Sequence, residues 1–275
     1  MNTISTNTKE AKQDSISGYA PVNGLNMYYE IHGKGEPLVL IHGGGSTIQT
    51  TFGRVLHSFA KDRKVIALEL QGHGHTADID RPETFEQDAD DVAALLKYLK
   101  IDKADIFGFS NGGNTTMQIA IRHPELVRKI IVASAFYKRE GMFPGFFEMM
   151  EKATLKDMPP LLQEYYKKVA PDSNGLIKMF EKDRARMVGF KDWDDSAIQS
   201  IQAPAFVINS DQDVASIEHV TKMFRLFHHA KLSILPGLHG GYIGEVTTGM
   251  EQSRLPDLAV AMINEFLNEP MPDKR

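Results

Sequence analysis

With 275 residues, 42% hydrophobic and 24% charged, the chain carries enough apolar material for a sizeable core in one large or two modest domains. A net charge of -5, without a clustered Lys/Arg stripe or aromatic-basic interleaving, speaks against nucleic acid as the main partner. Cysteine is absent, which excludes disulfides, thiolate nucleophiles and cysteine-ligated metals.

Residues 1–18, rich in Thr, Ser, Asn and Lys without an apolar centre, read as a flexible arm and not as a secretory signal. No later stretch is long and apolar enough to span a bilayer, so a cytoplasmic location is expected. Leu25 to His32 alternates as a strand does, Gly33-Lys34-Gly35 is a turn, and Pro37 to Ile41 is a second, wholly apolar strand. That strand runs into His42-Gly43-Gly44-Gly45-Ser46. A helical region near 51–60 follows, then the apolar run Lys64 to Leu70 and the turn-rich Gln71-Gly72-His73-Gly74-His75-Thr76. Phe85 to Leu99 has apolar residues at helical spacing, with acidic residues in its first half where the helix dipole favours them. Another apolar run, Ala104 to Phe109, reaches Ser110, and a helical pattern begins at Asn111. Lys129 to Ala135 is a further β-branched run.

Strands alternating with helices predict an α/β fold with a mostly parallel, doubly wound sheet covered on both faces. The core is expected over residues 19–136 and 197–275. Between them, residues 137–196 show no clean strand; they are rich in Met, Phe and Tyr and are interrupted by Pro144, Pro159-Pro160 and Pro171, as befits an inserted helical lid. Six of the thirteen methionines (142, 149, 150, 158, 179 and 187) lie in this stretch, which suits an adaptable apolar lining for a small apolar or acyl substrate. The same residues also have to pack the lid against the body. The oligomeric state is not written in the sequence.

Gly108-Phe109-Ser110-Asn111-Gly112 places a serine between glycines at a strand-to-helix turn, the arrangement of a nucleophile elbow. Such a match is often accidental when it stands alone. Here the other reactive motifs also follow strands, and in a parallel sheet the carboxyl ends of the strands border one crevice. Serine needs a histidine to take its proton, and the histidine needs a carboxylate to hold its tautomer. His239 is the only histidine after the last strand, whereas His228 and His229 sit on the preceding helix. Ser210-Asp211-Gln212-Asp213 offers two acids: Asp213 lies farther along the loop, and Asp211 suits a local backbone bond. The backbone amides of Asn111 and of the glycine run, Gly44 foremost, are the candidate oxyanion donors. A glycine run can also cradle phosphate, but no Gly-Lys-Ser/Thr follows and the spacing is not G-x-G-x-x-G. His42, His73 and His75 lack metal-binding spacing, so neither metal nor cofactor is expected.

Taken together, these motifs and Pro236-Gly237-Leu238-His239 resemble the α/β-hydrolase superfamily from about Gly24 to Leu267, the lid aside. The likeness is to its lidded esterases, lactonases, carbon–carbon hydrolases and haloperoxidase-like members. It implies Ser110 as nucleophile, Asp213 as acid and His239 as base, with Gly44 and Asn111 holding the oxyanion. Glu69, Asn209 and Leu238 depart from the usual residues around these motifs. Relatives that open epoxides or displace halide carry an aspartate at the elbow, so Ser110 argues against those activities. The resulting expectation is hydrolysis of carboxylic esters or related acyl compounds through an acyl-enzyme. Carbon–carbon hydrolysis, perhydrolysis and slow-turnover small-molecule reception on the same site are the alternatives.

Overall fold

The computed structural model describes residues 15–272. One eight-stranded sheet organises them: β1 (Ser15–Val22), β2 (Leu25–His32), β3 (Glu36–Ile41), β4 (Arg63–Leu68), β5 (Ala104–Phe109), β6 (Val127–Ala133), β7 (Ala205–Gln212) and β8 (Ala230–Leu238). The helices are α1 (Ile48–Phe52), α2 (Leu56–Phe59), α3 (Phe85–Tyr98), α4 (Asn111–Arg122), α5 (Phe146–Lys152), α6 (Pro160–Val169), α7 (Gly175–Val188), α8 (Asp195–Gln199), α9 (Ile217–Leu226) and α10 (Leu255–Asn268).

The strand order is β1-β2-β4-β3-β5-β6-β7-β8, with β1, β2 and β4 joined by antiparallel pairings and every pairing from β4 to β8 parallel. The chain steps from β3 outward to β4, then crosses back to β5 on the other side of β3. That reversal opens a crevice beyond the carboxyl ends of β3 and β5, where α/β sheets hold their ligands. Strands β3 and β5 are almost wholly buried, which is why they read as mostly apolar and not as alternation; the exception within β5, Asp105, is paired with Arg63 and Arg128.

The expectation of an arm over residues 1–18 fails at its carboxyl end. Residues 15–18 belong to β1, which pairs with β2 from Ser15↔His32 to Val22↔Leu25; residues 1–14 lie outside the described residues. Asn23-Gly24 makes the turn with φ of 48° and 86°, the left-handed pair that a tight hairpin requires. An Asn-Gly pair is a strong hairpin signal, but the polar outward face of this edge strand hides its partner. The helical region expected near 51–60 is two short helices, α1 and α2, separated at Gly53.

Helices cover both faces. One core cluster joins the sheet to α3, α4 and α9, and a second joins it to α1, α2 and α10. The insertion between β6 and β7 divides its apolar residues. Phe146, Phe147, Met187 and Phe190 enter the first cluster, while Met158, Leu162, Tyr166, Leu176 and Met179 form a small cluster of their own. No helix among the described residues is long and apolar enough to cross a membrane.

His219 anchors the start of this insertion. Its ring stacks on Tyr137 at 4.7 Å and its Nε2 accepts a hydrogen bond from the Tyr137 amide at 3.2 Å. A Cβ added to Gly141 would lie 2.3 Å from the ring, so the contact is close on both sides. Burial, helped by Lys222 and Lys138 against Glu140, pushes His219 down to about 4. A histidine depressed in the native state stabilises above its unfolded value of about 6.5, and that stability is lost as pH falls. His219→Phe, measured by urea unfolding, is therefore expected to be less stable than wild type at pH 7. The gap should narrow by about 1–2 kcal/mol on going to pH 5, because only the wild-type unfolded state gains a proton there. Parallel stability–pH curves for the two proteins would show that His219 is not held neutral.

Candidate active site

The turn from β5 into α4 is built by steric exclusion. A Cβ on Gly108 would stand 1.9 Å from the Gly112 carbonyl oxygen, and one on Gly112 would stand 2.1 Å from the Ile41 carbonyl oxygen. Only glycine at both positions lets strand, helix and neighbouring β3 come this close. Ser110 is forced to φ 55°, ψ -122°, a conformation that costs a non-glycine residue about 1–3 kcal/mol. Hydrogen bonds help hold it there: its amide donates to Ala133 O at 2.8 Å, and its carbonyl accepts from the Gly113 amide at 2.8 Å.

His239 follows β8 and places Nε2 3.1 Å from Ser110 Oγ. Its ring lies against Phe109, centroids 4.6 Å apart. On its other side, Nδ1 is 2.5 Å from Asp213 Oδ1. A buried carboxylate next to Nδ1 makes that nitrogen the proton donor, which leaves Nε2 free to accept from the serine hydroxyl. The Asp213 side chain is fully buried and all its lone pairs are directed. Oδ1 also accepts from the Val214 amide at 2.8 Å, and Oδ2 accepts from the Ser210 amide at 3.0 Å and Ser134 Oγ at 2.5 Å. Burial raises this carboxyl, but His239, Ser134 and Ser210 outweigh it and hold Asp213 below the usual carboxylate value. Asp211 points elsewhere: its Oδ1 accepts from the Gly237 amide at 2.8 Å.

Ser134 and Tyr242 were not singled out from the sequence. Ser134 Oγ and Tyr242 Oη are 2.7 Å apart. Burial, with Asp213 adding to it, pushes the Tyr242 phenol far up, so it stays protonated and donates to Ser134, which donates in turn to Asp213. Ser134 could have been noticed because it follows β6 at the same sheet edge as the other motifs. Asn209, one of the departures, closes the acid loop by donating Nδ2 to the Ser210 and Ala215 carbonyls, both at 3.0 Å. Glu69, another, accepts from the Ile48 and His75 amides and from His75 Nδ1.

The glycine run lies on β3's end, beside the elbow. His42 Nδ1 is 2.7 Å from Gly43 O, and its Nε2 accepts from the Leu70 amide at 3.1 Å. Burial drives His42 down to about 3, so it is neutral with its proton on Nδ1. Fixing the Gly43 carbonyl turns the other end of that planar peptide, the Gly44 N–H, the opposite way. Among the described residues, neither the Gly44 nor the Asn111 amide has a protein acceptor. The three motif histidines are each engaged by protein groups, His73 with Asp183 at 3.0 Å and His75 with Glu69 at 2.8 Å. Among the described residues no cluster of three or more His, Asp or Glu is arranged for a metal.

Gly44, Asn111, Ser110 and His239 open onto a cavity of about 740 Å³. All six methionines of the insertion line it: Met142, Met149, Met150, Met158, Met179 and Met187.

A family model described as the alpha/beta hydrolase fold matches residues 36–177, just over half of the chain. The chain is 29% identical over 215 residues to the 2-hydroxymuconate semialdehyde hydrolase of Pseudomonas sp. (strain CF600), covering 69% of this chain and 75% of that protein. It is 34% identical over 125 residues to the serine hydrolase BPHL of Homo sapiens, a match spanning 43% of each chain and so less than half the length of that relative. The fold is shared with the enol-lactonase from Burkholderia xenovorans LB400 at a TM-score of 0.71 and 21% identity, over 91% of this chain and 100% of that one. The matched segment runs from β3 through the elbow and into the insertion, and on this ground the chain belongs to the alpha/beta hydrolase fold family.

Proposed function

We propose that the protein is a serine hydrolase acting on carboxylic esters or related apolar acyl compounds, with residues 137–196 serving as a cap over the site. The observation that carries this reading is the continuous chain of hydrogen-bond contacts from Ser110 Oγ through His239 to Asp213 at the floor of a methionine-lined cavity. Ser110 Oγ attacks the acyl carbonyl while its proton passes to His239 Nε2. The oxyanion so formed accepts hydrogen bonds from the Asn111 and Gly44 amides, and Asp213 stabilises the imidazolium. Collapse breaks the bond to the alcohol oxygen, which leaves with the proton from His239. Water then gives a proton to His239 and attacks the acyl-enzyme, releasing the acid and restoring Ser110. Both amides are rigidly mounted, one at the first residue of α4 and the other on a peptide held by His42, so little reorganisation accompanies charge development.

A second reading keeps the same groups but cleaves a carbon–carbon bond beside a ketone. The likeness to 2-hydroxymuconate semialdehyde hydrolase, which extends over two thirds of this chain, favours keeping it in view. Hydrolysis of an ester panel alongside a β-diketone or vinylogous diketone panel separates the two by product.

With p-nitrophenyl esters, Ser110→Ala is expected to lower kcat by about a thousandfold or more and to abolish fluorophosphonate labelling. Wild-type turnover in that variant would remove Ser110 from the mechanism. Ser134→Ala removes one charge-assisted hydrogen bond to Asp213 and should lower kcat about tenfold while KM holds, read from initial rates across substrate concentration. Because the cavity is apolar, kcat/KM should rise roughly threefold to fourfold per methylene from acetate to hexanoate, the selectivity of about 0.8 kcal/mol per buried CH₂. A flat or falling series would contradict an apolar acyl pocket.

A further inference from the structure

The carboxylate of Asp183 comes from α7, in the helical insertion, yet it ends at the glycine turn of the core. Its Oδ2 accepts from the Gly45 amide at 2.5 Å and lies 3.0 Å from His73 Nε2. Its Oδ1 accepts from Asn111 Nδ2 at 3.4 Å and from the Arg186 guanidinium. Arg186 is held on its other arm by Asp88 of α3 at 2.7 Å. The whole group is buried, with Arg186 and Asp88 side chains each only 3% exposed.

Proton placement decides which contacts are real donors. Burial lowers His73, but Asp183 and Glu83 outweigh it and raise His73 to about 9. His73 is therefore a cation at neutral pH, donating Nδ1–H to Gln71 O at 2.7 Å and Nε2–H to Asp183. The Gly45 amide sits 3.2 Å from His73 Nε2, but a protonated ring nitrogen cannot accept from it. Its acceptor is Asp183. Burial works against the Asp183 charge, yet Arg186 and His73 hold this carboxyl well below the usual range.

The packing is equally specific. A Cβ on Gly44 would lie 2.4 Å from Asn111 Nδ2 and 3.1 Å from Asp183 Oδ2. One carboxylate thus touches both loops that contribute the oxyanion amides of the proposed mechanism: the Gly44–Gly45 turn through a backbone N–H, and Asn111 through its side chain. We infer that Asp183 is a positioning residue that ties the two oxyanion-donor loops to each other and to the inserted helix α7. Docking of the insertion and competence of the oxyanion site are then one event. The inference rests on the serine-hydrolase reading above and deepens it. It does not make Asp183 a partner of the substrate, because its lone pairs are already engaged.

The test uses the full chain with three substitutions. Asp183→Asn keeps the shape and removes the charge. Asp183→Glu keeps the charge and displaces it by a methylene. Asp88→Asn disturbs the same buried cluster from the side that does not touch the glycine turn. Each is assayed for kcat and KM with p-nitrophenyl butyrate and for inhibition by butylboronic acid, whose tetrahedral adduct on a serine sets a hydroxyl in the oxyanion position. Near-ultraviolet circular dichroism and Tm report folding.

Both Asp183 variants should lose roughly tenfold or more in kcat with KM within about threefold, and boronate affinity should weaken in step with kcat/KM. Asp88→Asn should stay within about twofold of wild type in kcat and boronate affinity even where its Tm falls. Folded Asp183 variants with wild-type kcat and boronate affinity would overturn the inference. So would losses that Asp88→Asn reproduces, or a failure of both Asp183 variants to fold, each of which assigns Asp183 to stability alone. If Asp183→Asn does not fold, Asp183→Glu decides, since it preserves the charge balance. Failure of the serine-hydrolase reading looks different: wild type itself would then resist both fluorophosphonate and the boronic acid.

Discussion

At the end of β5 the backbone passes so close to β3 and to the first turn of α4 that a single methyl group on Gly108 or Gly112 would overlap a carbonyl oxygen. That contact sets the rest of the molecule's geometry. It brings the elbow and the glycine run into adjacent positions on adjacent parallel strands, and it forces Ser110 into a backbone conformation that aims its side chain out of the sheet. The strain is local and is offset by main-chain hydrogen bonds to β6 and within α4. A less crowded turn would leave the serine free to relax into the helix, with its hydroxyl lost among the first-turn amides.

Two buried carboxylates flank this turn, and they solve the same electrostatic problem with different means. Asp213 is held by His239 and by three neutral donors, two backbone amides and a serine hydroxyl, so its charge faces one histidine. Asp183 is stabilised mostly by cations, Arg186 and protonated His73, inside a cluster whose charges compensate one another. The first arrangement suits the proposed role of His239 as a base that changes charge during a reaction. The second suits a fixed post, because each partner's charge is held in place by the others. Burial that would be costly for either acid alone is tolerable because no lone pair is left unpaired.

Much of the core fold could be read directly, since β3, β5 and β6 are mostly buried on both faces and announce themselves by apolar stretches, residues 38–41, 106–109 and 130–133. The loops after those strands carry Gly44, Ser110 and Ser134, yet only the first two stand out by residue type. Ser134 looks like any strand-end serine until Tyr242, more than a hundred residues later, is seen against it. Asp183 was illegible for a related reason. It belongs to an Arg- and Lys-rich helix whose pattern reads as a solvated face, and its partners Gly45, His73 and Asn111 lie in three separate segments. The hairpin at Asn23-Gly24 had a clear turn signal but an exposed, polar first strand, so composition outweighed geometry there. What one sequence cannot display is pairing between distant polar residues, because hydrogen bonds leave no periodicity.

The six methionines around the cavity bear on more than fit. The chain has no cysteine, so thioethers are its only sulfur, and nearly half of its thirteen methionines face one chamber. Peroxide or a peracid entering that chamber would convert flexible apolar side chains into polar, chiral sulfoxides within reach of the same small space. The oxidised wall would hydrate and lose its apolar surface, and through Met142 and Met187 the change would reach the first core cluster, while the second cluster, which contains no methionine, would stay unchanged. In redox terms the vulnerable part of this molecule is the wall of that chamber, and sulfoxide reduction would be the chemistry that restores it.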